Sequence, residues 1–294
     1  LLATIPLIIA FSLAVGSMPA VIDVSATDDP RDVVHRAVQA LAEGKLIVFP
    51  TETVYVAAAS VQSPEALSRL AEYRSGATAP LTLALRSAEE LTDFVPQASP
   101  LTARLARRCW PGPVILELED GHADSVLSRW PVEAQRALAP KGDLRLRVVA
   151  HPILQAVQRL VSGPLAIASF QQDVQALAAT GEEAAEHFAN VADLILDDGR
   201  CRFAQPSTVA RVDRSRVSLV RPGVISEANL KRLASWMAII VCTGNTCRSP
   251  MGEMLMRKRL SERLNVPLEE LDERGILVMS AGVAAAAGAC GDSP

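Results

Sequence analysis

The run WMAIIVCTGNTCRSPMGEM, residues 236–254, restricts the possible folds of this chain more than any other stretch. Seven apolar residues end on Cys242, a five-residue loop follows, and Arg248, Ser249 and Pro250 open a helical pattern. Such a strand–loop–helix buries its strand only when the helix packs back on it, as in a parallel α/β unit. The backbone N–H groups of residues 243–248 then converge on one point, and the helix N-terminus adds partial positive charge there. That field favours the thiolate of Cys242. Arg248 offers a planar fork for two phosphate oxygens. Ser249 is placed to donate to the sulfur, and Asn245 to brace the loop. The assembly suits in-line attack on a phosphomonoester. The pattern predicts Ser249 as N-cap, Pro250 as first helical residue, and Met251, Leu255, Leu260 and Leu264 as the inward face. ILVMSAG, residues 276–282, reads as a second strand.

The preceding 235 residues alternate helical and strand patterns but also contain adjacent strands, which predicts a mixed twisted sheet. DPRDVVHRAVQALAEGK is helical, with Val33, Val34, Ala37, Val38 and Leu41 on one stripe, Asp32 or Thr27 near its start and Gly44 just past its end. HPILQAVQRLVSG reads as a helix ended by Gly163, and DVQALAATGEEAAEHFA as one longer helix. LIVFP, LTLALRS, PLAIASF and ADLILDDG read as strands, and STVARVD with RVSLVRPG as a strand pair. Residues 227–235 serve as a linker between two domains.

A hydrophobic content of 49% with 21% charged residues marks a globular chain. A net charge of −4 leaves no whole-molecule field for nucleic acid. The local basic clusters are Arg145 with Arg147, and Arg211 with Arg214 and Arg216. Five cysteines at irregular spacing (Cys109, Cys201, Cys242, Cys247, Cys290) and four scattered histidines argue against a disulfide framework and a zinc site, and fit a reducing cytoplasm. Residues 1–22 carry no charge. That run is long enough to span a bilayer, looks like a signal-peptide core without its positive flank, or is upstream sequence before a start at Met18. The last reading is favoured, with residues 1–17 as leader or mis-called start and no membrane partner.

VCTGNTCRSPMGEM and the later SAG (Ser280 to Gly282) resemble the low-molecular-weight protein tyrosine phosphatase family. The resemblance implies Cys242 as nucleophile, Arg248 as phosphate clamp and Ser249 as helper of the leaving sulfur, with Gly244, Asn245, Thr246 and Cys247 supporting the loop. It also implies a reversible Cys242–Cys247 disulfide and a phosphoprotein substrate. Thr246 resembles the protein-arginine phosphatase branch, so phosphotyrosine and phosphoarginine both stay open. The family's general acid is an Asp in an Asp-Pro pair well downstream, whereas the later Asp residues here, Asp272 and Asp292, are not followed by Pro. Residues 236–294 are therefore expected to be the first part of such a domain.

Six further segments, in order over residues 18–226, resemble the YrdC-like threonylcarbamoyl-AMP synthases: LAEGKLIVFPTETVYVAAAS, LARRCWPGPVILEL, LRLRVVAHP, GPLAIAS, PSTVARV and LVRPGVI. The resemblance implies synthesis of threonylcarbamoyl-AMP from threonine, bicarbonate and ATP, with magnesium accompanying the nucleotide and no tightly bound cofactor. It further implies tRNA adenosine modification and tRNA or double-stranded RNA as partner. It places Thr51, Thr53 and Tyr55 on the threonine side and Arg74, Arg147, Ser169, Ser207 and Arg221 on the nucleotide side. Five positions depart from the family. Its Lys-x-Arg is Glu72-Tyr73-Arg74, its Lys before Pro-Leu is Ala79, and its Gly after Tyr is Val56. Its Thr after Trp-Pro-Gly-Pro-x is Ile115, and its Asn of Ser-x-Asn is Gln171. A charge reversal beside a triphosphate costs about 4 kcal/mol per close pair at an effective dielectric of 20. The alternative expectation is a unit that keeps the fold, binds nucleotide or RNA, and regulates the phosphatase.

Overall fold

The computed structural model describes residues 19–73, 80–119, 124–169, 177–213 and 215–284. Arg74, Ala79, Gln171, Arg214, Cys290, Asp292 and the leader 1–17 lie outside the described residues. The elements are β1 (Ala20–Asp23), α1 (Pro30–Ala42), β2 (Ile47–Phe49), β3 (Val56–Ser60), α2 (Pro64–Tyr73), β4 (Thr82–Ala84), α3 (Leu91–Phe94) and α4 (Pro100–Cys109). There follow β5 (Val114–Glu119), α5 (Val132–Leu138), β6 (Asp143–Arg147), α6 (Pro152–Leu160), β7 (Leu165–Ser169), α7 (Gly181–His187) and β8 (Leu194–Asp197). The last are β9 (Thr208–Val212), β10 (Val217–Arg221), α8 (Glu227–Ala234), β11 (Trp236–Cys242), α9 (Arg248–Leu264), α10 (Glu270–Glu273) and β12 (Ile276–Gly282).

Ten strands form one sheet in the order β1-β8-β2-β3-β7-β4-β6-β5-β9-β10. The pairs β1–β8, β2–β8, β4–β6 and β5–β9 are parallel and the rest antiparallel, so the sheet is mixed, as the sequence predicts. The strand period of two sorts the core into two layers. Val48, Ala57, Leu83, Leu116 and Leu146 join one cluster, which includes Leu67 of α2 and Leu105 of α4. Ile47, Phe49, Val56, Ala58 and Ile167 join the other, with Val33, Ala37 and Leu41 of α1 and Leu154 of α6. Among the described residues no helix is long and apolar enough to cross a membrane.

Several local expectations are corrected. Asp29, not Asp32 or Thr27, caps α1, its carboxylate accepting from Arg31 N at 2.9 Å with Pro30 as first helical residue. Gly44 does end that helix, at φ +75°. The helix expected to run to Gly163 stops at Leu160, where Val161 turns extended and its carbonyl accepts from Arg86. Residues 173–176 of the long helix expected before His187 lie outside the described residues, and the described part is helical only at Gly181–His187. A capping box starts it: Glu183 N donates to Thr180 Oγ1, while the Glu183 carboxylate accepts from Ala179 N and Thr180 N and ends any helix running in from before.

The second sheet is the parallel pair β11–β12, with α9 packed on it. Cys247, not Ser249, is the cap of α9. Ser249 is helical and buried because its hydroxyl turns into the loop. Gly252 lies on β11, where a Cβ would stand 3.2 Å from Ile240 Cγ2. That seating rotates the expected apolar face outward, leaving Met251 64% and Leu255 59% exposed, with Leu264 also exposed. Residues 227–234 form α8. Arg104 and Arg108 of α4 donate to the carbonyls of Leu233, Ala234 and Ser235, complementing the negative end of α8 just before β11 begins.

Candidate functional site

Arg147, at the end of β6, is 1% exposed, and each nitrogen of its guanidinium donates a hydrogen bond. Nε donates to Gly112 O at 3.1 Å, Nη1 to Ser207 Oγ at 2.7 Å, and Nη2 to Glu52 Oε1 at 2.8 Å and Thr53 Oγ1 at 3.1 Å. The second oxygen of Glu52 accepts from Ala150 N at 3.1 Å. The hydroxyl protons can be traced in order. Thr51 Oγ1 donates to Val54 O at 2.6 Å, so it must accept from Thr53 Oγ1 at 2.9 Å. Thr53 in turn accepts from Ser207 Oγ at 3.2 Å. The structure thus brings together four of the expected residues, Thr51, Thr53, Arg147 and Ser207, from three distant stretches of sequence.

Arg221 joins this group through the backbone, with Nε and Nη2 donating to Ser207 O at 3.3 and 2.9 Å. The glycine two residues on makes that approach possible. A Cβ on Gly223 would stand 2.2 Å from Pro206 O and 2.6 Å from Thr208 N. Gly223→Ala is therefore expected to lower stability by about 1–3 kcal/mol. Its urea midpoint should fall with an unchanged m-value, and an unmoved midpoint would show that the 206–208 segment yields freely.

Ser169 and Arg221 line a cavity with Arg145, Arg147 and Ser207. Its volume is only ≈ 20 Å³, about one water, because Val56, Ile115 and Ile167 fill it. Two of the five departures, Val56 and Ile115, are thus buried in the wall of this cavity. Glu72 is exposed, and Tyr73 faces Phe188 with ring centroids 5.4 Å apart. Tyr55 is fully buried: its hydroxyl donates to Gly199 O at 2.7 Å or Asp197 Oδ1 at 3.0 Å and accepts from Asp198 N at 3.1 Å. Burial pushes its pKa up. That phenol props the loop after β8, while Thr51 and Thr53 sit beside Arg147.

Residues 145, 147 and 211 form no surface basic patch. Arg145 is buried and pairs with Glu117 Oε2 at 2.6 Å, and Arg211 bridges Glu117 Oε1 and Asp143 Oδ2. Burial works against the Glu117 charge, but hydrogen bonds from both arginines outweigh it and hold its carboxyl below the usual range. Sequence reasoning passed over Glu52, Arg145 and Glu117 as site residues. The available signal was LRLR, which sets Arg145 and Arg147 on one face of an otherwise apolar strand.

In the second unit, Cys242 Sγ lies 2.9 Å from Ser249 Oγ and accepts from Asn245 N at 3.2 Å. Ser249 Oγ is also 2.7 Å from Asn245 Oδ1. Asn245 holds the loop at φ +52°, a conformation Asn tolerates. Hydrogen bonds from the Ser249 side chain, then its backbone, with Asn245 and Gly244 N–H, bring the Cys242 thiol down to about 7. Burial sends Cys109 and Cys201 the other way, to about 11. The loop leans on Gly282, whose Cβ would stand 3.0 Å from Asn245 N and Gly244 C, which accounts for the glycine of SAG. Thr246, Cys247 and Arg248 are exposed around the rim. Asp272 is paired with Arg257 at 3.1 Å.

Residues 39–223 match the family described as Sua5_yciO_yrdC, telomere recombination, and residues 238–293 match the low molecular weight phosphotyrosine protein phosphatase family. The threonylcarbamoyl-AMP synthase of Pyrococcus abyssi is 29% identical over 184 residues, covering 62% of this chain and 52% of that protein. That of Bacillus subtilis is 26% identical over 217 residues, covering 72% and 58%. The chain thus spans little more than half the length of these two relatives. Among solved structures, P. abyssi Sua5 complexed with L-threonine has a TM-score of 0.62 at 20% identity, covering 90% of this chain and 92% of that one. E. coli YciO has a TM-score of 0.59 at 22% identity, covering 72% and 98%. At these identities the structural likeness carries the fold.

Proposed function

The chain belongs to the Sua5/YciO/YrdC family, whose model matches residues 39–223, and from that we propose a threonylcarbamoyl-AMP synthase-like unit joined to a Cys-dependent phosphoprotein phosphatase. The observation that supports the first half is the convergence of Thr51, Thr53, Ser207 and the Arg147 guanidinium on one buried point. In this reading threonine, bicarbonate and ATP give threonylcarbamoyl-AMP and pyrophosphate for tRNA modification. Arg147 and Arg221 offer the positive charge that anionic substrates need. The thiolate of Cys242 forms a bond to phosphorus as the P–O or P–N bond breaks. The leaving group takes a proton from solvent, and water then hydrolyses the S–P bond. A phosphoprotein carrying phosphotyrosine or phosphoarginine is the substrate class.

A second reading, a unit that keeps the fold without synthesis, is favoured by the ≈ 20 Å³ cavity and by the prior pairing of Arg147 with Glu52. Small-molecule sites usually enclose about 300–1,000 Å³. Synthesis therefore requires Ile115 and Val56 to move aside and Glu52 to release Arg147. Incubating the full chain with ATP, threonine and bicarbonate separates the two readings by mass spectrometry. Threonine-dependent threonylcarbamoyl-AMP and pyrophosphate are the expected products, and their absence from a folded sample leaves only the second reading standing.

A further inference from the structure

Thr51 and Glu52 of the Arg147 cluster also line an open cleft of ≈ 350 Å³. It is walled by Pro50–Glu52, the Pro111–Pro113 turn, Ala150 and His151, and the Asp198–Phe203 loop. This volume falls within the range of small-molecule sites. The loop is held from three directions: Asp198 N donates to the Tyr55 hydroxyl, Cys201 N to Ala179 O, and Phe203 N to Glu52 O. Its backbone is therefore preorganised, whereas two of its charged heads have no acidic partner. Among the described residues neither Arg200 nor Arg202 is ion-paired, and Arg202 instead lies over the Phe203 ring at 5.2 Å.

His151 supplies the opposite polarity. Its Nδ1 is buried with no hydrogen-bond partner, an arrangement that needs an explanation in a folded protein. Nε2 lies 3.4 Å from Asp198 Oδ2, which fixes its proton on that side and leaves Nδ1 an acceptor. Burial keeps the ring neutral by lowering its pKa, against the pull of Asp198 and Glu52. His151 also precedes α6 without a side-chain cap, so the positive end of that nine-residue helix adjoins the same wall. The cleft thus offers the Arg200 and Arg202 guanidiniums for a carboxylate and the Asp198 carboxylate, with His151 behind it, for a donor.

We propose that this cleft is a second small-molecule site, beside the Arg147 cluster and sharing Thr51, Glu52 and Gly112 with it, for a short α-amino or α-hydroxy carboxylate. Arg200 and Arg202 hold the carboxylate, and Asp198, backed by His151 Nε2, receives the ammonium or hydroxyl. The proposal stands or falls apart from the synthase reading, because none of these four side chains lies in the filled cavity.

The test titrates the full chain with L-alanine and with L-lactate by isothermal calorimetry. Saturable millimolar binding of at least one probe is expected. Arg200→Ala/Arg202→Ala, at two exposed positions, should weaken it by about tenfold or more, since two rim charges are lost. Ser207→Ala should weaken it less than the double arginine variant does, because the Ser207 hydroxyl bonds Arg147 and Thr53 and none of the four proposed side chains. No saturable binding of either probe up to solubility-limited concentrations would overturn the proposal. So would binding that tolerates the double arginine variant, or that disappears with Ser207→Ala.

Discussion

Arg147→Met is expected to destabilise the ten-stranded unit by about 3–5 kcal/mol, the cost of breaking a buried ion pair by removing one partner. The substitution roughly preserves length and volume, so the loss arises from polar groups and not from a void. Glu52 keeps only Ala150 N at 3.1 Å, and its carboxylate stays buried without a countercharge. Gly112 O and the hydroxyls of Thr53 and Ser207 lose a donor at the same time. A double variant, Arg147→Met with Glu52→Gln, removes the stranded charge and should recover more than half of the loss. Urea unfolding followed by the fluorescence of Trp110 and Trp130 measures both. A single-variant loss under about 1 kcal/mol would mean that water reaches Glu52 and that the cluster is not closed. Because this measurement needs no substrate, it separates the guanidinium's part in the fold from any part in binding. It also defines what a ligand must supply: an anion that takes Arg147 in place of Glu52.

The contrast between those residues and their neighbours shows what sequence can carry. Thr53 and Ser207 are 154 positions apart and meet through a hydroxyl contact at 3.2 Å, with Thr51 joined to Thr53 at 2.9 Å. Their segments were legible only because each matches an ordered family pattern. The filling of the cavity was half legible. Val56 and Ile115 stand out as departures, but their volumes matter only after β3, β5 and β7 bring them together with Ile167. On α1 the apolar stripe, the extent and the final glycine could all be read, because one helix face meets one sheet. On α9 the same reasoning failed. Periodicity locates an apolar stripe without saying which side a strand will occupy, and Ser249 and Gly252 took the inward position. The loop before α9 was read more fully, since its chemistry depends on backbone N–H groups and spacing more than on distant packing.

Alkylation of Cys242 by iodoacetamide is expected to rise with pH through about 7 and then level off. Ser249→Ala should move that inflection upward, since the Ser249 side chain is the largest cause of the lowering. The sign follows from the hydrogen bonds. The Ser249 hydroxyl has one proton and three acceptors within reach, Cys242 Sγ at 2.9 Å, Asn245 Oδ1 at 2.7 Å and Ala281 O at 3.4 Å. When the sulfur is a thiolate the proton turns to it, so the ionised form gains a donor that the thiol does not need. Without that donor the pKa returns toward about 8.5. A full return, the upper limit while the backbone N–H groups remain, would drop the thiolate fraction at pH 6.5 from roughly a quarter to about 1%. The more basic thiolate is intrinsically more nucleophilic, by roughly fivefold for a Brønsted slope near 0.45, so the net rate should fall at most about fivefold. Fragment mass spectra that separate Cys242 from Cys247 give the rates at each position, and Cys242→Ser supplies the blank. A profile unchanged by Ser249→Ala would mean that the backbone N–H groups of Gly244, Asn245 and Ser249 alone hold the thiolate. The loop would then depend on its backbone shape, and Asn245 and Gly282 would become the positions to which its reactivity is most sensitive.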